Sequence, residues 1–139
     1  CVEDVLGALK WAEKIGGGKR LILRSKNNLK EISNWVESTP WVDFLAISKT
    51  FRSNTSVCLK FVDPWFLSLS ESVQTKIPKE IDSMLEEQGV AFDINGYRDA
   101  PPGLRIWAGS TVETKDLQEL FPWLDWAYFS VKAKTERQK

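Results

Sequence analysis

Apolar residues recur at helical spacing from the start of the chain. Val2, Val5, Leu9, Ala12 and Ile15 share one side of a helical repeat and predict a helix over residues 2–16. Gly16-Gly17-Gly18 then permits a stop or a sharp bend. A second helix is predicted over residues 20–37, with Leu29, Ile32 and Val36 on one side and Arg24, Lys26, Lys30 and Glu31 turned to solvent. Thr39-Pro40 ends it, because the residue before a proline is steered away from helical backbone. The period then changes. Residues 41–46 read as a strand of mixed burial, and 55–61 alternate strictly, with Val57, Leu59 and Phe61 on one face and Ser56, Cys58 and Lys60 on the other.

Asp63-Pro64 opens a loop carrying Trp65 and Phe66, and a helix over residues 78–88 turns Ile81 and Leu85 inward before Gly89 caps it. Two more strands are predicted, a short one over 90–93 and another over 104–108. Ser110 to Glu113 has the spacing of a capping box. Beyond it Leu117, Leu120, Phe121, Leu124, Tyr128 and Val131 mark a last helix, interrupted or restarted at Pro122, with a polar frayed end over 132–139. This order, with no internal repeat, predicts an α+β fold: a largely antiparallel sheet with helices over one face.

A length of 139 residues fits one domain with its own core. Nineteen basic and nineteen acidic side chains leave no net charge to draw the chain to nucleic acid or a membrane surface. With no histidine and only Cys1 and Cys58, the chain has neither a disulfide framework nor metal-ligand spacing, and a reducing cytoplasmic setting fits best. Cys58 reads as a small, half-buried filler. The chain begins with Cys1 directly on a helical pattern rather than with methionine, so a piece of a longer protein is expected. Gly17-Gly18-Lys19 lacks the strand and spacing of a phosphate-binding loop. Seven tryptophans are many for this length; they are expected to anchor the core or a surface covered by a partner.

The chemistry concentrates where Arg98 and Arg105 bracket Pro101-Pro102-Gly103. Arg105 stands within an apolar run, and a guanidinium there calls for an acid to face it: a bound carboxylate or phosphate, or an internal aspartate or glutamate. Arg52, near a turn, reads as a structural side chain paired with a local carboxylate.

The run from Gly96 through Tyr97, Arg98, Gly103, Arg105 and Trp107 to Gly109, closing on 117–126 and preceded by Arg52 to Val57, resembles the C-terminal part of the phosphoserine aminotransferase family. Ser38 to Ala46 and the first helix agree as well, so the resemblance spans essentially the whole chain. It implies a fold-type I, class V aminotransferase that uses pyridoxal 5'-phosphate. Residues 1–139 would then be the small C-terminal domain, with 1–16 its connecting helix, and the large cofactor-binding domain would lie outside this chain. The implied partners are that missing N-terminal domain and a second subunit in a homodimer. The implied substrates are glutamate and 3-phosphohydroxypyruvate. By the same resemblance Arg105 matches the arginine that holds the substrate α-carboxylate, and Arg98 the one that helps hold the distal phosphate or carboxylate. The Schiff-base lysine and the other cofactor contacts belong to the large domain, so no cofactor is expected on this piece alone. Two features depart from many members: Tyr97 stands where they carry histidine, and the loop from Arg98 to Arg105 is one residue longer. Tyr97 offers either a hydroxyl to the phosphate or a ring for packing. The alternatives are the small domain of another class V aminotransferase, which would not need Arg98, and a free-standing α+β binding or interaction module.

Overall fold

Glycine decides the first bend. In the computed structural model, which describes residues 1–97 and 99–137, Gly16 and Gly17 adopt φ angles of 112° and 69°, in the left-handed region that other residues avoid. They separate helix α1, Val2–Lys14, from α2, Gly17–Ser38. Helix α1 buries none of its residues, and Val2, Val5 and Leu9 stay exposed. Helix α2 turns Ile32, Trp35 and Val36 into the core, then ends before Pro40.

Three short strands follow, β1 (Val42–Phe44), β2 (Ser56–Phe61) and β3 (Gly103–Trp107), pairing antiparallel in the order β1-β2-β3. Their alternation sends Val42, Phe44, Val57, Leu59, Phe61, Leu104 and Ile106 into the core. The opposite face carries Asp43, Ser56, Cys58, Lys60, Arg105 and Trp107. Short helices α3 (Pro64–Leu67) and α4 (Glu71–Gln74) lead into α5 (Ile77–Glu87), and α6 (Thr114–Glu136) packs against both α2 and α5. The fold is therefore α+β, with an antiparallel sheet helix-covered on its apolar face.

Aromatic rings fill the seam between sheet and helices. Trp35 stacks on Phe121 with centroids 5.0 Å apart, and Trp41 on Tyr128 at 4.2 Å. Trp41 Nε1 donates to Asp125 Oδ1 at 2.8 Å and the Tyr128 hydroxyl to Asp63 Oδ2 at 2.7 Å, while Trp35 Nε1 and Trp65 Nε1 have no acceptor among the described residues. Asp63 also accepts from Lys132 Nζ at 2.8 Å and caps α3 by accepting from the Trp65 amide at 2.9 Å. Burial pulls the Asp63 carboxyl upward, but the hydrogen bonds from Lys132, Tyr128 and Trp65 outweigh it and hold the group below its ordinary value. Burial first, and the Asp63 hydrogen bond second, push the Tyr128 hydroxyl up, so it stays a neutral donor.

Several local expectations change. The 90–93 segment is not a strand, because left-handed backbone at Gly89 (φ 67°) and Asp93 (φ 54°) prevents extension; beyond it Asn95 forms an isolated bridge to Leu104. Pro122 neither stops nor restarts the last helix. A helix-interior proline costs about 3 kcal/mol, and the buried stripe of Leu117, Phe121, Leu124, Ala127, Tyr128 and Val131 offsets it. The helix continues through Glu136, with Lys132 tied to Asp63 and Lys134 to Glu80, so 132–136 are not frayed. Residues 110–113 form no capping box: Glu113 is the N-cap residue but its side chain pairs with Arg24. Arg24 is consequently not a free solvated charge of α2.

Candidate anion-binding site

Arg105 lies on the open face of β3, directly opposite Cys58 of β2. The strand projects its side chain from that face, and the side chain is only 17% exposed. Its backbone amide donates to the Ile94 carbonyl at 2.7 Å, which ties β3 to the segment before it. That segment is itself pinned from α5: buried Asp82 accepts from the Ile94 amide at 2.9 Å and from the Asn95 side chain. The consequence is local. Asp93 and Tyr97, on either side of this anchor, are both delivered to the guanidinium.

Arg105 Nη2 donates to Asp93 Oδ2 at 2.7 Å and to the Asp93 carbonyl at 3.3 Å. The Tyr97 ring centroid lies 4.6 Å from the guanidinium carbon, close enough for a cation–π contact. Nε is buried and has no acceptor among the described residues. The arrangement is a cation with a partly filled fork, on a sheet face that also exposes Trp107. A carboxylate or a phosphate oxygen suits it. Among the described residues no group of three or more His, Cys, Asp or Glu side chains is placed to hold a metal ion.

The other sequence candidates fall as follows. Arg98 lies outside the described residues. Tyr97 is mostly exposed and borders an open cleft with Lys79, Asn95 and Pro102. Arg52 pairs with no carboxylate among the described residues; its Nε donates to the Ala46 carbonyl at 3.2 Å and its guanidinium lies over the Phe44 ring at 3.8 Å. The guanidinium thus finds a carbonyl and a ring where a carboxylate was expected. Cys58 is a free thiol of intermediate burial. Of the tryptophans, Trp35 and Trp41 are core residues, while Trp11, Trp107, Trp123 and Trp126 are exposed.

Three residues had no part in the sequence-based site. Asp93 had been placed in a strand; its signal was an acidic residue two positions before Asn95-Gly96, where a chain can turn left-handed. Asp82 sits on the inner side of α5, and a buried carboxylate there had to cap something. Asn28, 0% exposed on α2, donates its amide to the carbonyls of Ala108, Gly109 and Val112 at 3.1, 3.3 and 3.0 Å and accepts from Thr114 Oγ1 at 2.7 Å. Together with Arg24, which donates to the Ser110 carbonyl at 2.6 Å, it fixes the turn leaving the arginine strand.

Pyridoxal phosphate needs an amine to carry it and a cradle for its phosphate. Among the described lysines Lys132 is tied to Asp63, Lys60 is half-buried on the sheet face and the rest are exposed, and the Arg105 guanidinium beside the Tyr97 ring suits a carboxylate rather than a pyridine ring.

Comparison with known proteins follows the same direction. No family model matches the chain. Over 130 residues it is 49% identical to a phosphoserine aminotransferase of Methanosarcina mazei, and equally to one of Methanosarcina barkeri; each match covers 94% of this chain and 32% of the relative. The chain thus spans about a third of the length of the curated relatives it matches. Among solved structures, a phosphoserine aminotransferase from Bacillus circulans subsp. alkalophilus superposes with a TM-score of 0.66 at 20% identity, over 87% of this chain and 30% of that one. A second phosphoserine aminotransferase structure gives 0.65 at 19%. At that identity the structures speak for the fold alone.

Proposed function

We propose that this chain, a homologue of the phosphoserine aminotransferases over nearly its whole length, is the small C-terminal domain of such an enzyme, with residues 1–16 as the helix joining it to a large domain. The whole enzyme would move an amino group between glutamate and 3-phosphohydroxypyruvate, giving 2-oxoglutarate and O-phosphoserine, as a cytoplasmic homodimer in serine biosynthesis. When bound, pyridoxal phosphate supplies the electron sink for that chemistry. Its lysine is assigned to the large domain, so the 139 residues alone are inactive.

The observation that carries this reading is the guanidinium of Arg105, sheltered on a strand, in cation–π contact with Tyr97 and with its buried Nε left without an acceptor among the described residues. Glutamate and 3-phosphohydroxypyruvate share an α-carboxylate and differ at the far end, carboxylate in one and phosphate in the other. Arg105 takes the common end. Its planar fork fixes the carboxylate in one plane and thereby the direction of the bonds at Cα. By the family resemblance Arg98 takes the variable end, because a cation accepts either a carboxylate or a phosphate. The Tyr97 ring supports the Arg105 guanidinium through its cation–π contact, and its exposed side chain offers a hydroxyl to the distal group.

The test compares the 139 residues with the longer enzyme they belong to, each mixed with pyridoxal phosphate. The longer enzyme is expected to form the internal-aldimine absorbance and to aminate 3-phosphohydroxypyruvate from glutamate. A stoichiometric, active chromophore on the 139 residues alone would overturn the assignment.

A further inference from the structure

The Arg105 fork already holds a carboxylate. Asp93 Oδ2 occupies Nη2 at 2.7 Å while Nε stays without an acceptor among the described residues. With Nε buried, an incoming carboxylate meets the fork end-on, at Nη1 and Nη2 together. An incoming acid therefore contends with Asp93 for Nη2.

Three features make Asp93 exchangeable rather than fixed. Its side chain is 80% exposed, so the released carboxylate returns to water without desolvation. Its backbone is held independently of the ion pair, through Asp82 to the Ile94 amide and through the Ile94 carbonyl to the Arg105 amide. Rotation about the side-chain bond alone therefore frees the arginine. The third feature is Tyr97, whose ring holds the guanidinium from one side whichever carboxylate it faces.

We propose that Asp93 is a resident competitor of the substrate carboxylate: it holds the Arg105 fork in the empty site and gives it up when an acid binds. The inference rests on the reading of Arg105 as the substrate-carboxylate clamp. Its effect is on affinity, since Asp93 leaves before the bound complex forms and its displacement costs each carboxylate ligand the same factor.

The experiment uses the full-length enzyme. Asp93→Asn removes the charge, keeps the shape and tolerates the left-handed backbone at φ 54°. The expected result is a KM for L-glutamate lower by about fivefold, matching an exposed ion pair, with kcat nearly unchanged and the inhibition constant of glutarate falling in parallel. Asp93→Gly, which the same backbone angle accepts, gives the same shift if the asparagine variant folds poorly. In an Arg105→Ala background the gain disappears. A KM that stays put or rises in both variants, while Arg105→Ala still depresses kcat/KM, overturns the competitor and leaves the clamp standing. An Arg105→Ala enzyme with undiminished kcat/KM overturns both.

Discussion

Replacing Asn28 by alanine removes the buried side chain that, together with Arg24, ties α2 to the turn between β3 and α6. Its amide has two N–H groups shared among three carbonyls at 3.0 to 3.3 Å, and its oxygen accepts the Thr114 hydroxyl. Counted as two donated bonds and one accepted, at about 1 kcal/mol each, with little compensation because the site is sealed, the loss is about 3 kcal/mol. Ala108 is 0% exposed, so its carbonyl has no ready replacement partner. In urea, with a slope of about 2 kcal/mol per molar for a chain of this size, the unfolding midpoint drops by roughly 1.5 M. Asn28→Asp separates hydrogen bonding from volume: it fills the same space but turns a charge toward three carbonyls, and is expected to lose at least as much. Circular dichroism during urea unfolding provides the measurement. A loss below about 1 kcal/mol in both variants would refute the claim that this amide holds the turn.

Gly103→Ala would place a Cβ 2.0 Å from the Leu59 carbonyl oxygen, so β2 and β3 must part. Thermal unfolding is expected to show a loss of about 3 kcal/mol or more, and a near-native midpoint would contradict the close approach. At Asp63 the folded carboxyl lies below its ordinary value, so folding favours the ionised form. Its contribution is complete above about 3.8, the ordinary value, and is lost as pH falls through the lower folded value. Melting midpoints followed down to about pH 3 should therefore fall more steeply for the parent than for Asp63→Asn, and parallel acid limbs would remove Asp63 from the account.

The sheet was legible because its strands alternate cleanly. Val57, Leu59 and Phe61 against Ser56, Cys58 and Lys60 leave one way for β2 to face the core. Helix α5 was legible for a similar reason, with Ile81 and Leu85 one turn apart and both 0% exposed. What escaped was set by tertiary contact. The continuity of α6 through Pro122 depends on a buried stripe that reaches across α2 and α5, and proline chemistry alone argues the other way. Glu113 has the spacing of a cap but is drawn off by Arg24, 89 positions away. At the site, Arg105 stood out as a cation in an apolar run. Its carboxylate partner did not, because residues 90–93 read as strand until the left-handed angle at Asp93 turns that side chain back onto the arginine.

Steady-state kinetics of Arg105→Ala in the full-length enzyme test the central claim most directly. The expected result is a fall in kcat/KM for both glutamate and 3-phosphohydroxypyruvate, because both present the α-carboxylate to the same fork. The fall corresponds to about 2 to 4 kcal/mol of lost transition-state binding, with KM raised for each. An unchanged kcat/KM for either substrate would contradict the assignment of Arg105 to the shared carboxylate.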